Sequence, residues 1–203
     1  VQGCAERLTS EGATLWAAGA PAWLLADEAR QIWVAGVTGQ EPAPLFNHIN
    51  RFICQHSDMK RYATLFFGLV DPAGRLDFIN AGHLPAVLIR RGQVSFAFHS
   101  SCVPVGLLPE AKYGAESAML EPGDTLVLMT DGITEAMDPE EQQFGSERLQ
   151  EAVRQHAGQP IEQLQAAILA AVEKFACGAY QADDLTLLIL RYLGSHGDPR
   201  TAC

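Results

Sequence analysis

The chain has 203 residues, 48% of them apolar, and a formal net charge of −10 at pH 7. That apolar share excludes a disordered protein, and the length suits one domain burying a substantial core. The acidic balance, with basic residues gathered in nothing longer than pairs such as Arg90-Arg91, argues against nucleic acid as a partner and against adsorption to anionic membranes.

In chain order, Trp23-Leu24-Leu25 and Ile32-Trp33-Val34 read as a hairpin with Asp27 and Glu28 at its tip. Leu45, Ile49, Phe52 and Ile53 recur at helical spacing and predict an amphipathic helix, whose apolar stripe allows a homodimer as one assembly. Two hairpins follow: Leu65 to Val70 and Leu76 to Ile79 around Asp71-Pro72-Ala73-Gly74, then Ala86 to Ile89 and Val94 to Phe98 around Arg91-Gly92. Thr125 to Met129 is an apolar strand. Gly145 to Val153 predicts a helix with Ser146 as its N-cap. Ile161, Leu164, Ile168, Leu169, Val172 and Phe175 predict a longer helix before a last strand at Leu187 to Leu190. Strands with segregated helices make an α+β domain. Residues 1–193 are expected to form one domain, with 194–203 as a flexible tail.

Five scattered cysteines (Cys4, Cys54, Cys102, Cys177, Cys203), without CxxC spacing, read as reduced thiols of a cytoplasmic protein. No apolar run reaches the length of a membrane span and no signal peptide is visible. The chain starts at Val1 rather than Met, as a piece cut from a longer protein would.

Two segments carry the chemistry. Met129-Thr130-Asp131-Gly132-Ile133-Thr134-Glu135 and Gln181-Ala182-Asp183-Asp184-Leu185-Thr186 each put an acid at the edge of an apolar strand. A carboxylate held there suits a hard cation, which makes Asp131 and Asp183 candidate metal ligands. Each Asp also suits a plain turn, because Asp and Gly favour turns for local hydrogen-bonding reasons. Glu135 lies four positions after Asp131 and reads as a solvated turn acid that could stand near a metal. His83 reads as a turn histidine, and His48, His56, His99 and His156 as surface residues. Ser100-Ser101-Cys102 lacks a nucleophile elbow, which argues against covalent catalysis. Trp16, Trp23 and Trp33 read as core residues of the amino-terminal part.

From about Leu45 to Arg191 the chain resembles the PPM-type protein phosphatases, in the bacterial branch of SpoIIE and RsbU. The resemblance rests on ordered motifs: Ala63-Thr64-Leu65-Phe66-Phe67-Gly68, Asn80-Ala81-Gly82-His83-Leu84-Pro85, Pro104-Val105-Gly106-Leu107-Leu108, Glu121-Pro122-Gly123-Asp124, Thr130 to Ala136, Phe144-Gly145 and Asp183-Asp184-Leu185-Thr186. It implies a β-sandwich flanked by helices that holds two Mg²⁺ or Mn²⁺ ions. It also implies direct attack of a metal-bound water on phosphoserine or phosphothreonine. By motif match Asp131 and Asp183 would be ligands, with Asp184, Gly132 and Glu135 as neighbours that orient or surround them. The implied partner is a phosphorylated regulatory protein, such as an anti-sigma-factor antagonist in bacterial partner switching. Sensor or receiver domains often precede this branch.

The amino-terminal part departs from the family pattern. Where the branch carries "DVSGHG", this chain has Trp33-Val34-Ala35-Gly36-Val37-Thr38-Gly39-Gln40, so Gly36 stands at the position of the Asp that bridges the metals. Ala18 to Trp23 offers no early carboxylate, and the first of two usual helices is missing, since Gln40 runs into Glu41-Pro42-Ala43-Pro44-Leu45. Two adjacent dications repel unless a carboxylate bridges them. Two expectations therefore stand side by side: a phosphatase domain with reduced catalysis, or a catalytically silent pseudophosphatase that binds partners.

Overall fold

The computed structural model describes the backbone of residues 31–35 and all atoms of 42–56, 62–179 and 185–194. Trp16, Trp23, Asp27, Glu28, Gly36, Asp183, Asp184, two of the cysteines and the tail beyond Gly194 lie outside the described residues, as does the amino-terminal hairpin apart from one strand. The chain divides into two compact units. One runs to His83 and includes His99–Leu120; the other comprises Leu84–Phe98 and the chain from Glu121 onward. No helix among the described residues is long and apolar enough to cross a membrane.

Among its described residues the first unit holds a sheet of four strands in the order β1 (Gln31–Ala35), β2 (Thr64–Val70), β3 (Arg75–Ala81), β6 (Glu116–Met119). β1 runs parallel to β2; the other neighbours are antiparallel. The expected β2–β3 hairpin is present. Its turn is closed by Asp71, whose side-chain Oδ1 accepts the Arg75 N–H at 2.9 Å and whose carbonyl accepts the Gly74 N–H at 3.0 Å. Helix α1 (Pro42–His56) packs on this sheet, starting where the shortened sequence after Gln40 predicts a helix.

The buried face of α1 differs from the expected stripe. Phe46 and Asn50 are buried, whereas Leu45 is 48% and Phe52 39% exposed. The cause is one aromatic and one amide. Phe46 meets Phe67 edge-on at 5.5 Å and Tyr113 at 5.8 Å. Asn50 is buried because its amide is satisfied: Nδ2 donates to the Leu108 carbonyl at 2.9 Å, and Oδ1 accepts the Gly106 N–H at 2.7 Å. Apolar periodicity cannot foresee a buried asparagine.

The second unit is an antiparallel sheet in the order β5 (Gln93–Ala97), β4 (Ala86–Arg90), β7 (Thr125–Met129), β8 (Leu187–Arg191). Arg91 (φ 51°) and Gly92 (φ 77°) form the tight turn of the β4–β5 hairpin, where positive φ at both central residues matches the strand twist. Among the described residues three helices follow β7: α2 (Asp131–Thr134), α3 (Gly145–His156) and α4 (Ile161–Ala176). α3 runs to His156 rather than Val153, and Ser146 lies within it, not at its N-cap; that position is Phe144, without a side-chain cap bond. α4 buries Leu164, Ile168 and Val172 along one face, as its periodicity predicts. These side chains, with Leu149 and Val153 of α3 and Val87, Val127 and Met129 of the sheet, form one core.

Candidate functional site

All five residues of β7 are buried, as the continuous apolar run of an interior strand requires. Both ends of the strand are fixed. At its start the Asp124 carboxylate, 2% exposed, takes a two-pronged bond from Arg90, with Nε at 3.0 Å and Nη2 at 2.5 Å, and accepts the Glu121 N–H at 2.8 Å. The carboxylate holds the Arg90 guanidinium above its ordinary pKa. Alongside, Arg191 Nε donates to Thr125 Oγ1 at 2.7 Å.

At the far end the chain leaves the sheet through Thr130, still extended at φ −81° and ψ 160°, and turns at once into α2. The turn is tied by Ile133 N–H to the Thr130 carbonyl at 3.2 Å and by Glu135 N–H to the Asp131 carbonyl at 2.7 Å. The Thr134 hydroxyl donates to that same Asp131 carbonyl at 3.1 Å. Ile133 is fully buried in the core, which anchors the turn, while Asp131 is half-buried and Glu135 exposed. Gly132, next to Asp131, is buried in the same turn.

The antiparallel register of β7 and β8 pairs Met129 with Leu187 and continues one step past the strands. Thr130 N–H donates to the Thr186 carbonyl at 3.0 Å, and Thr186 N–H donates to Thr130 Oγ1 at 3.0 Å. The structure thus brings the two motif segments together through their threonines, next to Asp131 on one side and to Leu185, which directly follows Asp184, on the other. Sequence reasoning placed Asp131 and Glu135 at the strand end and missed Thr130. The available signal was a threonine in each motif at the point where the strand stops.

The donors fit Mg²⁺ or Mn²⁺ in kind: hard carboxylate oxygen on a rigid strand end. Among the described residues no three of His, Cys, Asp and Glu gather as a metal cluster.

His83 is buried, and its backbone N–H donates to Asn80 Oδ1 at 2.8 Å. Ser100 Oγ accepts the Gly82 N–H at 2.7 Å and serves the same turn. His48, His56 and His99 are exposed, and His156 is half-buried with Nδ1 2.9 Å from the Ala152 carbonyl. Cys54, Cys102 and Cys177 are free thiols.

The family profile described as Stage II sporulation protein E (SpoIIE) matches residues 11–193. The protein IcfG of Synechocystis is 33% identical over 135 residues, 66% of this chain and 21% of that protein. The phosphoserine phosphatase RsbP of Bacillus subtilis is 24% identical over 147 residues, 72% of this chain and 35% of that protein. This chain therefore spans about a fifth to a third of the length of those relatives. The SiaA-PP2C domain of Pseudomonas aeruginosa superposes with a TM-score of 0.64 at 24% identity, covering 75% of this chain and 60% of that one, which shows a PP2C-type fold.

Proposed function

The chain belongs to the SpoIIE family of PPM-type phosphatase domains, and from that premise we propose that it acts on phosphoserine or phosphothreonine of a regulatory protein, with reduced catalysis. The phosphoserine phosphatase RsbP supports the partner class, and an anti-sigma-factor antagonist is the kind of substrate that the family resemblance implies. In this reading residues 1–193 work as one domain, and Asp131 and Asp183 hold a single Mn²⁺ or Mg²⁺, with Asp184, Gly132 and Glu135 around them.

One observation carries the reading. The Thr130–Thr186 pair fastens the strand end bearing Asp131 to the chain that directly follows Asp183-Asp184. Chain connectivity alone keeps those two acids within three Cα steps of Thr186, about 11 Å at most. When bound, the ion supplies charge that neutralises phosphoryl oxygens and acidifies a water. The chain's own part is to hold carboxylates still: Ile133 anchors the α2 turn in the core, and the β7–β8 ladder fixes the strand end.

A specific sequence feature supports reduced turnover. Gly36 occupies the position where the resemblance expects a metal-bridging Asp, and the early acidic motif is missing. Carried to its limit, the same feature favours a silent pseudophosphatase that recognises the phosphoprotein without hydrolysing it. Phosphate release from a phosphoserine peptide, with and without Mn²⁺, separates the two. Slow Mn²⁺-dependent release that disappears in Asp131→Asn supports the enzyme; none from either protein leaves the binding module.

A further inference from the structure

We infer that Arg148 is a positioning residue for the turn that carries Asp131, acting through Phe144. The inference deepens the metal-dependent reading above and rests on it. α2 is a single turn, too short to hold its own shape. It is anchored by Ile133 in the core, and its exit is fixed by the Ala136 carbonyl, which accepts the Phe144 N–H at 2.8 Å. Between Ala136 and Phe144 the chain doubles back, pairing Met137 with Gln143 in an isolated antiparallel bridge. Where Phe144 stands therefore decides where the Asp131 turn ends.

Arg148 holds that end of the loop. Its Nη1 donates to the Gln143 carbonyl at 3.1 Å and to the Phe144 carbonyl at 3.0 Å. Its guanidinium carbon lies 4.6 Å from the centre of the Phe175 ring, against which the buried Phe144 packs edge-on at 5.5 Å. One side chain thus ties two successive carbonyls to the ring beside them. Arg148 is the fourth residue of α3, near the helix end where the macrodipole disfavours a cation. The dipole does not account for an arginine there; its carbonyl partners do. Lysine keeps the charge but lacks the planar fork, and methionine keeps an apolar stem for Phe175 without any donor.

The test compares wild type, Arg148→Met and Arg148→Lys in two measurements. Amide hydrogen exchange on metal-free protein follows Phe144 and Glu135, whose N–H donates to the Asp131 carbonyl, with Val127 and Ile168 reporting on the sheet and α4. Calorimetric titration measures Mn²⁺ affinity. Arg148→Met is expected to speed exchange at Glu135 and Phe144 and to weaken Mn²⁺, each by about three- to tenfold, the weight of the hydrogen bonds given up. Val127 and Ile168 are expected to stay protected, and Arg148→Lys to fall between the other two proteins. Equal acceleration at all four amides overturns positioning in favour of plain stability. Unchanged exchange at Glu135 and Phe144 overturns the hold of Arg148 on the turn. Faster exchange there with unchanged Mn²⁺ affinity overturns the link to Asp131 and leaves the metal reading standing. Wild-type protein that binds no Mn²⁺ overturns the metal reading itself, and the inference with it.

Discussion

The Tyr113 hydroxyl lies 3.2 Å from Asn50 Oδ1, and the two residues form a buried polar centre in the first unit. The same hydroxyl is 3.2 Å from the Pro104 carbonyl, while Tyr113 N–H donates to Asn47 Oδ1 at 3.2 Å. Helix α1 is thereby bolted to the 104–113 segment by amides and a phenol as well as by Phe46.

Replacing Asn50 tests that bolt. Asn50→Ala strands the Gly106 N–H and the Leu108 carbonyl, two groups that its amide satisfies. Each stranded group costs about 1–3 kcal/mol, so urea denaturation is expected to show a loss of about 2–5 kcal/mol. Asn47→Ala, which gives up one longer bond at an intermediate site, is expected to cost about 1 kcal/mol or less. Equal losses for the two variants would contradict the central role given to Asn50.

Tyr113 gives the unit an alkaline limit. Burial, more than the neighbouring Cys102 and Cys54, pushes its phenol up from 10.0 to about 12. A group whose folded pKa is raised gives stability that is fully present below the unfolded pKa and is lost as pH rises through the folded one. Stability is therefore expected to fall between about pH 10 and 12, and Tyr113→Phe to remove part of that slope. Ultraviolet titration of tyrosinate should lose its highest-titrating component in the same variant.

Two glycines with similar backbone angles differ in their surroundings. At Gly82 (φ 75°) an added Cβ would stand 2.5 Å from Pro104 Cγ and 2.8 Å from its Cδ, both in a rigid ring; at Gly92 (φ 77°) nothing lies within 4 Å. Gly92→Ala bears only the left-handed conformational cost of about 1–2 kcal/mol. Gly82→Ala bears that cost and a steric one, so its thermal midpoint is expected to lie several degrees below that of Gly92→Ala. Matching midpoints would mean that Pro104 gives way freely.

Much of this was legible from residue patterns. The two hairpins, the buried β7 strand and the α4 face followed from Asp-Pro-Ala-Gly, Arg-Gly and the spacing of Leu164, Ile168 and Val172. The buried face of α1 was misread, because Asn50 is internal only by virtue of partners 56 and 58 residues away. The parallel pairing of β1 with β2 likewise depends on long-range contact. At the candidate site Asp131 was visible as an acid after an apolar strand. Thr130 was not, because its importance comes from a carbonyl that turns away and a hydroxyl that replaces it.

The proposed function puts one hard cation at Asp131, with slow turnover at best. Calorimetric titration of Mn²⁺ into chelator-stripped wild type and Asp131→Asn, with p-nitrophenyl phosphate turnover in the same buffer, is the measurement to make. One weak site per chain is expected in the wild type, weakened more than about tenfold in Asp131→Asn, whose thermal midpoint stays near wild type. Two tight sites with fast turnover, or equal Mn²⁺ binding by both proteins, would contradict it.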